Sequence, residues 1–282
     1  VNYRHAYHAG NIGDVLKHAV LTRLILYFQR KDKGFRILDT HAGIGLYDLT
    51  SEETGKTGEW LAGIGKVLSE DMPPHVLDLL KPWLEAVRQL NPGSDLTFYP
   101  GSPCLARALM RPNDRLTLTE LHPDDFKILA RRFGGDHQVK TIHLDGWMGL
   151  GGFVPPKEKR GLVLIDPAYE VSDEFDRMTN ALVKAHKKWA KGTYALWYPL
   201  KNRKAVDRMH ASFSEAGLRD VLGLELKVGQ SGPDTVMLGS GMTVINPPFL
   251  LAEEMRTILP WFAKVLRQGP GAGWAVETVI GE

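Results

Sequence analysis

Apolar runs of strand length recur along the chain, and helical patterns lie between most of them. The runs are 35–40 (FRILDT), 115–121 (RLTLTEL), 138–145 (QVKTIHLD), 161–167 (GLVLIDP), 193–199 (TYALWYP), 222–228 (LGLELKV), 242–248 (MTVINPP) and 273–280 (GWAVETVI). Apolar strands without strict alternation suit a sheet covered on both faces. Ser102–Met110 and residues 174–190 carry apolar residues at helical spacing, and a helix is predicted from Asp14 to Phe28. Alternating strands and helices predict an α/β fold, doubly wound around a mostly parallel sheet. Residues 51–95 break the alternation: 59–68 (EWLAGIGKVL) and 75–90 (HVLDLLKPWLEAVRQL) have helical spacing and no good strand. A helical insert is expected there, inside one domain spanning 1–282. The Gly229–Gly241 stretch is expected to be a loop or hairpin connection.

Composition narrows the class. With 43% hydrophobic and 24% charged residues, the chain has the balance of a folded domain. No apolar run approaches the ~18–20 residues of a membrane span, and the polar, aromatic Val1–Gly10 is not expected to be a signal peptide. Cys104 is the single cysteine, so no internal disulfide and no cysteine-based zinc site is available. A cytoplasmic monomer is the expectation. The formal charge is +2, from 35 basic and 33 acidic residues. Any nucleic acid must therefore be met by a local patch and not by bulk charge.

Three sites carry chemistry. The first strand runs into Asp39-Thr40-His41-Ala42-Gly43-Ile44-Gly45, where glycines let backbone approach a nucleotide-like ligand. Glu120 ends the next long strand, where a carboxylate can accept from both ribose hydroxyls of a nucleoside. Asp145-Gly146 ends the strand after that, where an acid can accept from an adenine amine. In open α/β sheets, ligands bind beyond the carboxyl ends of strands. The third site is Asp166-Pro167-Ala168-Tyr169, similar to the Asp/Asn-Pro-Pro-Tyr/Phe turn of amino-group methyltransferases. The adenine amine is a poor nucleophile because its lone pair is delocalised into the ring. Asp166 and the Pro167 carbonyl can each accept one of its N–H bonds, and Tyr169 offers an extruded base an aromatic face. Asn246-Pro247-Pro248-Phe249 matches that pattern more literally, but it lies far beyond the glycine turn and is expected to be a strand-ending turn.

Other residues add to this picture. Ser102-Pro103 looks like a helix cap followed by proline. Lys184, Lys187, Lys188 and Lys191 fall at i, i+3, i+4 and i+7, so one helix face could meet phosphates. Lys201, Arg203 and Lys204 follow the next strand. His5, His8 and His18 lack acids in ligand spacing, so no metal is expected.

Taken in order, YRHAYHAGNIGDVLKH, LDTHAGIGLY, YPGSP, LTELHP, GLVLIDPAYE, YALWYP and INPPF resemble the RlmJ-type 23S rRNA (adenine-N6)-methyltransferases over nearly the whole chain. The resemblance implies a Rossmann-like domain with a small helical insert, S-adenosyl-L-methionine (AdoMet) as cofactor, and adenine 2030 of 23S rRNA as target. It implies AdoMet contacts at His18, His41, Ser102, Glu120, Asp145 and Gly146, with Gly43 in the glycine turn and Asp166 beside the cofactor. It further implies Asp166 as the catalytic acceptor and Tyr3 as a substrate contact. Ala168 departs from the family, which usually has proline there. Two rivals remain at this level. A DNA adenine methyltransferase would share the chemistry, but the insert is not markedly basic. A non-catalytic nucleic-acid-binding protein, linked to use of external DNA, would fit the lost proline.

Overall fold

The apolar runs assemble into one eight-stranded sheet in a computed structural model, which describes residues 5–93, 95–170, 173–201, 203–229 and 238–282. The chain enters through α1 (Ile12–Gln29), capped by the Asn11 side chain, and passes to β1 (Arg36–Asp39). β2 (Leu46–Asp48) and β3 (Phe98–Pro100) pair antiparallel as a small separate sheet. Between them lie α2 (Glu52–Thr57), a wide helical turn at Leu61–Gly65, α3 (Lys66–Ser69) and α4 (Pro74–Leu90). The sequence does not predict this strand pair, because strands of three residues are too short to show a period. Then follow α5 (Ser102–Leu109), β4 (Arg115–Glu120), α6 (Pro123–Arg132), β5 (Val139–His143), α7 (Gly146–Gly152) and β6 (Gly161–Ile165). The remaining elements are α8 (Glu174–Lys188), β7 (Thr193–Pro199), α9 (Arg203–Glu215), β8 (Val221–Lys227), β9 (Gly239–Ile245), α10 (Leu251–Val265) and β10 (Gly273–Ile280).

The strand order is β10-β8-β9-β7-β6-β1-β4-β5. The five strands from β5 to β7 are parallel, and β9, β8 and β10 are each antiparallel to their neighbours. This is the mostly parallel, doubly wound α/β sheet the alternation predicts. β8 and β9 do form a hairpin, although β9 begins at Gly239 and residues 230–237 lie outside the described residues. The central strands are buried on both sides: in β6, Leu162 and Leu164 enter one core while Val163 and Ile165 enter the other. α1, α4, α5 and α10 supply the first core, and α8 and α9 the second. α1 is apolar nearly all round and correspondingly buried, so the three charged or ionisable side chains Asp14, Lys17 and His18 are carried inside.

Topology fixes where the site lies. The chain turns to one side after β1 (to β4 and β5) and to the other for β6 and β7. The carboxyl ends of β1, β4, β5 and β6 therefore open on a crevice at the point where the order reverses.

Candidate active site

That crevice is an open cleft of about 1000 Å3, counting the solvent at its mouth, and Asp166 joins it to a second open cavity of about 1420 Å3 on the same measure. His5, Lys17, Asp166 and Ala168 line both. The cleft gathers His41 and Gly43 from the turn after β1, Ser102, Glu120, Asp145 and Gly146. These are residues the sequence singles out, drawn from four segments.

Local chemistry explains the cleft's shape. Gly43 has φ +62°, and a Cβ there would collide with the Tyr47 hydroxyl. A Cβ on Gly146 would meet the Thr40 carbonyl and the His41 ring, so only glycine lets α7 start this close to the β1 turn. Glu120 accepts from the backbone N–H of Gly43 (2.8 Å) and of His122 (2.7 Å). Each oxygen keeps a further lone pair for a ribose hydroxyl. Burial raises the Glu120 pKa despite those backbone donors. Asp145 caps α7, accepting from Trp147 N at 2.8 Å and Met148 N at 3.2 Å. Its other oxygen lies 3.8 Å from Arg177 and borders the cleft. It is thus both a helix cap and a cleft acid. The His41 ring meets Trp147 edge-on at 4.9 Å, and burial lowers its pKa to about 4.

Ser102 differs from its expected role. Gly101 occupies the cap position of α5, and the Ser102 hydroxyl instead donates to Asp39 Oδ2 at 2.6 Å. Burial pushes Asp39 up to about 6, against that hydrogen bond and the Lys17 charge. His18 is not brought to the cleft wall. It is wholly buried behind Asp14, with Nδ1 2.8 Å from the Tyr99 hydroxyl, and burial lowers its pKa to about 3. The α1 side chain that reaches the cleft is its neighbour Lys17.

Lys17 Nζ donates to Asp166 Oδ2 and lies 2.8 Å from Asp14 Oδ1. Burial opposes the Lys17 charge, but Asp14 and Asp166 outweigh it and raise its pKa. Burial likewise opposes ionisation of Asp14, yet His5 and the Lys17 charge beside it hold its carboxyl well below the usual range. His5 Nε2 sits 3.0 Å from both Asp14 oxygens. Sequence reasoning missed Asp14 and Lys17. Their signal is present as an acid and a lysine at i and i+3 within an otherwise apolar helix.

The Asp166 turn is held from both sides. Tyr169 has φ +53°, and its hydroxyl donates to the Trp197 carbonyl at 2.5 Å. Its ring packs on Phe175 at 5.0 Å and edge-on to Trp197 at 5.8 Å. Burial, with Asp166 nearby, raises the Tyr169 pKa. Pro167 is buried, and Ala168 faces both cavities. These contacts anchor the turn that Ala168 leaves with one proline fewer.

Two groups of residues are placed differently from the rest. Lys184, Lys187 and Lys188 are exposed on α8, but that helix ends at Lys188, so Lys191 lies outside it. Only the first turn of α8, through Glu174 and Arg177, borders the cleft. Lys184 stands about 10 Å beyond Arg177 at 1.5 Å per residue, toward the amino ends of the strands. The lysines are not brought to the site. His5 and His8 do have acids beside them, Asp14 and Glu59, supplied from elsewhere in the chain. Among the described residues, no group of three or more metal-ligating side chains forms. Tyr3 lies outside the described residues. No helix among them is long and apolar enough to cross a membrane.

Sheet order and cleft together mark an AdoMet-dependent methyltransferase of Rossmann-like fold. The chain belongs to the RlmJ family: residues 32–280 match the family described as "Ribosomal RNA large subunit methyltransferase D, RlmJ". It is 41% identical over 284 residues to "Ribosomal RNA large subunit methyltransferase J" of Haemophilus influenzae, covering 100% of both chains. The protein of that name in Escherichia coli is 41% identical over 272 residues, covering 96% of each. A crystal structure of a Legionella pneumophila protein superposes with a TM-score of 0.86 at 34% identity, covering 96% of this chain and 98% of that one.

Proposed function

We propose that this protein transfers the methyl group of AdoMet to N6 of an adenine in 23S rRNA, adenine 2030 by the family resemblance, and that it acts as a monomer. One observation carries the reading: Asp166 lies where the cleft at the strand ends meets a second, aromatic-walled cavity. Methyl donor and target base can then approach the same carboxylate from opposite sides. The cleft fits AdoMet, since its acids Glu120 and Asp145 match hydroxyl and amine donors. Glu120 would hold the ribose hydroxyls, Asp145 and His41 would border the adenine, and Ser102 and Gly43 would face the amino-acid end. Bound AdoMet supplies an electrophilic methyl on a sulfonium.

The chain does the rest. Lys17, kept charged by Asp14, occupies Asp166 Oδ2 and leaves Oδ1 to accept from the target amine. The Pro167 carbonyl takes the other N–H, drawing the nitrogen toward a tetrahedral geometry. Tyr169 and Trp197 wall the cavity in which the extruded base would sit. Alignment is then the main barrier lowered. Residues 51–95, a helical insert in this reading, contribute Thr57, Gly58, Glu59 and Ala62 to the same cavity. Mass spectrometry of rRNA nucleosides from cells with and without the gene tests the activity. N6-methyladenine at one 23S position should disappear without it, and an unchanged nucleoside profile would overturn the proposal.

A further inference from the structure

Among the described residues, the acids lining the base cavity outnumber its lysines. Asp14, Glu59 and Asp166 line it, and its lysines are Lys17 and Lys201. Lys17 is buried and engaged by Asp14 and Asp166, so its charge is directed inward. His5 and His8 face Asp14 and Glu59. Lys201 is different. It sits just past the carboxyl end of β7, the strand that carries Trp197, and its side chain is exposed at the cavity. No carboxylate among the described residues pairs with it, whereas nearby Arg203 is bound to Asp207 and Glu225. Gln268, from the loop after α10, lines the same cavity.

An extruded nucleotide brings its backbone with it. Once the base is against Asp166 and Tyr169, its phosphates must leave through the mouth of the cavity. The acids in the cavity wall offer them nothing, and the exposed Lys201 at the mouth would attract them. Resting on the activity proposed above, we infer that Lys201 is a substrate-positioning residue that binds an RNA phosphate flanking the target adenosine. The charge that grips RNA then lies beside the reacting base, and not on the distant α8 stripe.

A cycle of two changes tests this. One is Lys201→Gln, and the other is an RNA hairpin in which the linkage on either side of the target adenosine is an uncharged methylphosphonate. Each alone should lower kcat/KM about tenfold, mainly through KM, the loss expected of one charge-assisted contact. Together they should cost little more than either alone, because they remove the same contact. Lys201→Arg should restore most of the loss. Lys201→Gln should also flatten the salt dependence of RNA binding by about 0.7–0.9 in log–log slope. Lys33→Gln, an exposed lysine just ahead of the amino end of β1, should change neither readout. AdoMet affinity should be untouched in every variant. Fully additive losses, or a Lys201→Gln enzyme with wild-type KM and salt slope, would overturn the phosphate role alone. Absence of methylation by the wild-type enzyme would instead overturn the reading of the activity.

Discussion

Two proline turns in this molecule look alike in sequence and have opposite fates. Asp166-Pro167-Ala168-Tyr169 follows β6, and Asn246-Pro247-Pro248-Phe249 follows β9. Each holds a non-glycine residue at positive φ, Tyr169 at +53° and Asn246 at +51°. β6 runs with the parallel core, so its turn opens on the cleft. β9 runs against it, so its turn emerges at the other edge, beside the start of β7. There the Asn246 amide donates to Ala190 O at 2.8 Å and Gly192 O at 2.7 Å, and is consumed in tying the chain. Asp166 meets one charged lysine and two cavities. Strand direction, more than the letters of the motif, decides which turn can do chemistry.

The sharpest way to break this comparison is to remove both polar side chains in turn. Asp166→Ala should lower kcat by roughly a hundred- to a thousandfold while AdoMet affinity, read by calorimetry, stays near wild type. Asn246→Ala should leave kcat largely intact but cost about 1–3 kcal/mol of stability in denaturant, since two carbonyls lose their donor. A dead Asn246 variant beside an active Asp166 variant would reverse the assignment.

The next effect concerns the charge under the first turn. Lys17→Met leaves buried Asp14 facing fewer compensating charges, and should destabilise the fold by about 3–5 kcal/mol. Lys17→Arg should recover part of that. Chemical denaturation measures both.

A pH profile separates the two edges further. Asp39, its folded pKa raised by burial to about 6, contributes stability that is present below its unfolded value and lost as pH rises through 6. Asp39→Asn should therefore gain up to ~3 kcal/mol over wild type on going from pH 4 to pH 7, at 1.36 kcal/mol per unit. His41 acts in the other direction. Its pKa is lowered to about 4, so its contribution is full above the unfolded value near 6.5 and is lost as pH falls toward 4. Asn246 does not titrate, so the stability difference between wild type and Asn246→Ala should be flat over this range.

Smaller effects follow. Glu120→Ala should weaken AdoMet by about 1–3 kcal/mol in calorimetry, and unchanged affinity would remove Glu120 from the ribose role. Ala168→Pro restores the residue usual in the family. Lys17 and Tyr169 already hold the turn, so turnover should change by less than about threefold.

Much of this was legible in the sequence because strand ends are. Asp39, Glu120, Asp145 and Asp166 each stand where an apolar run stops, and parallel strands bring such stops to one edge. Lys17 was not legible, because its partner Asp166 is 149 residues away and no local pattern encodes that meeting. Lys191 was misplaced because spacing cannot show that α8 ends at Lys188. Ser102 was misread by one position, since glycine can occupy a cap with no side chain to announce it.

The burial of α1 has a consequence for how the molecule is made. This helix is synthesised early, yet its apolar surface is covered by β9 and α10, and its Arg23 is clasped by Glu254, 231 residues later. The helix that bears Lys17 therefore completes its packing only once β9 and α10 have been made. Contacts of such sequence separation make folding slow. Truncation before α10 should therefore loosen the seat of Lys17 and lower activity, while α1 keeps its packing on α4 and α5.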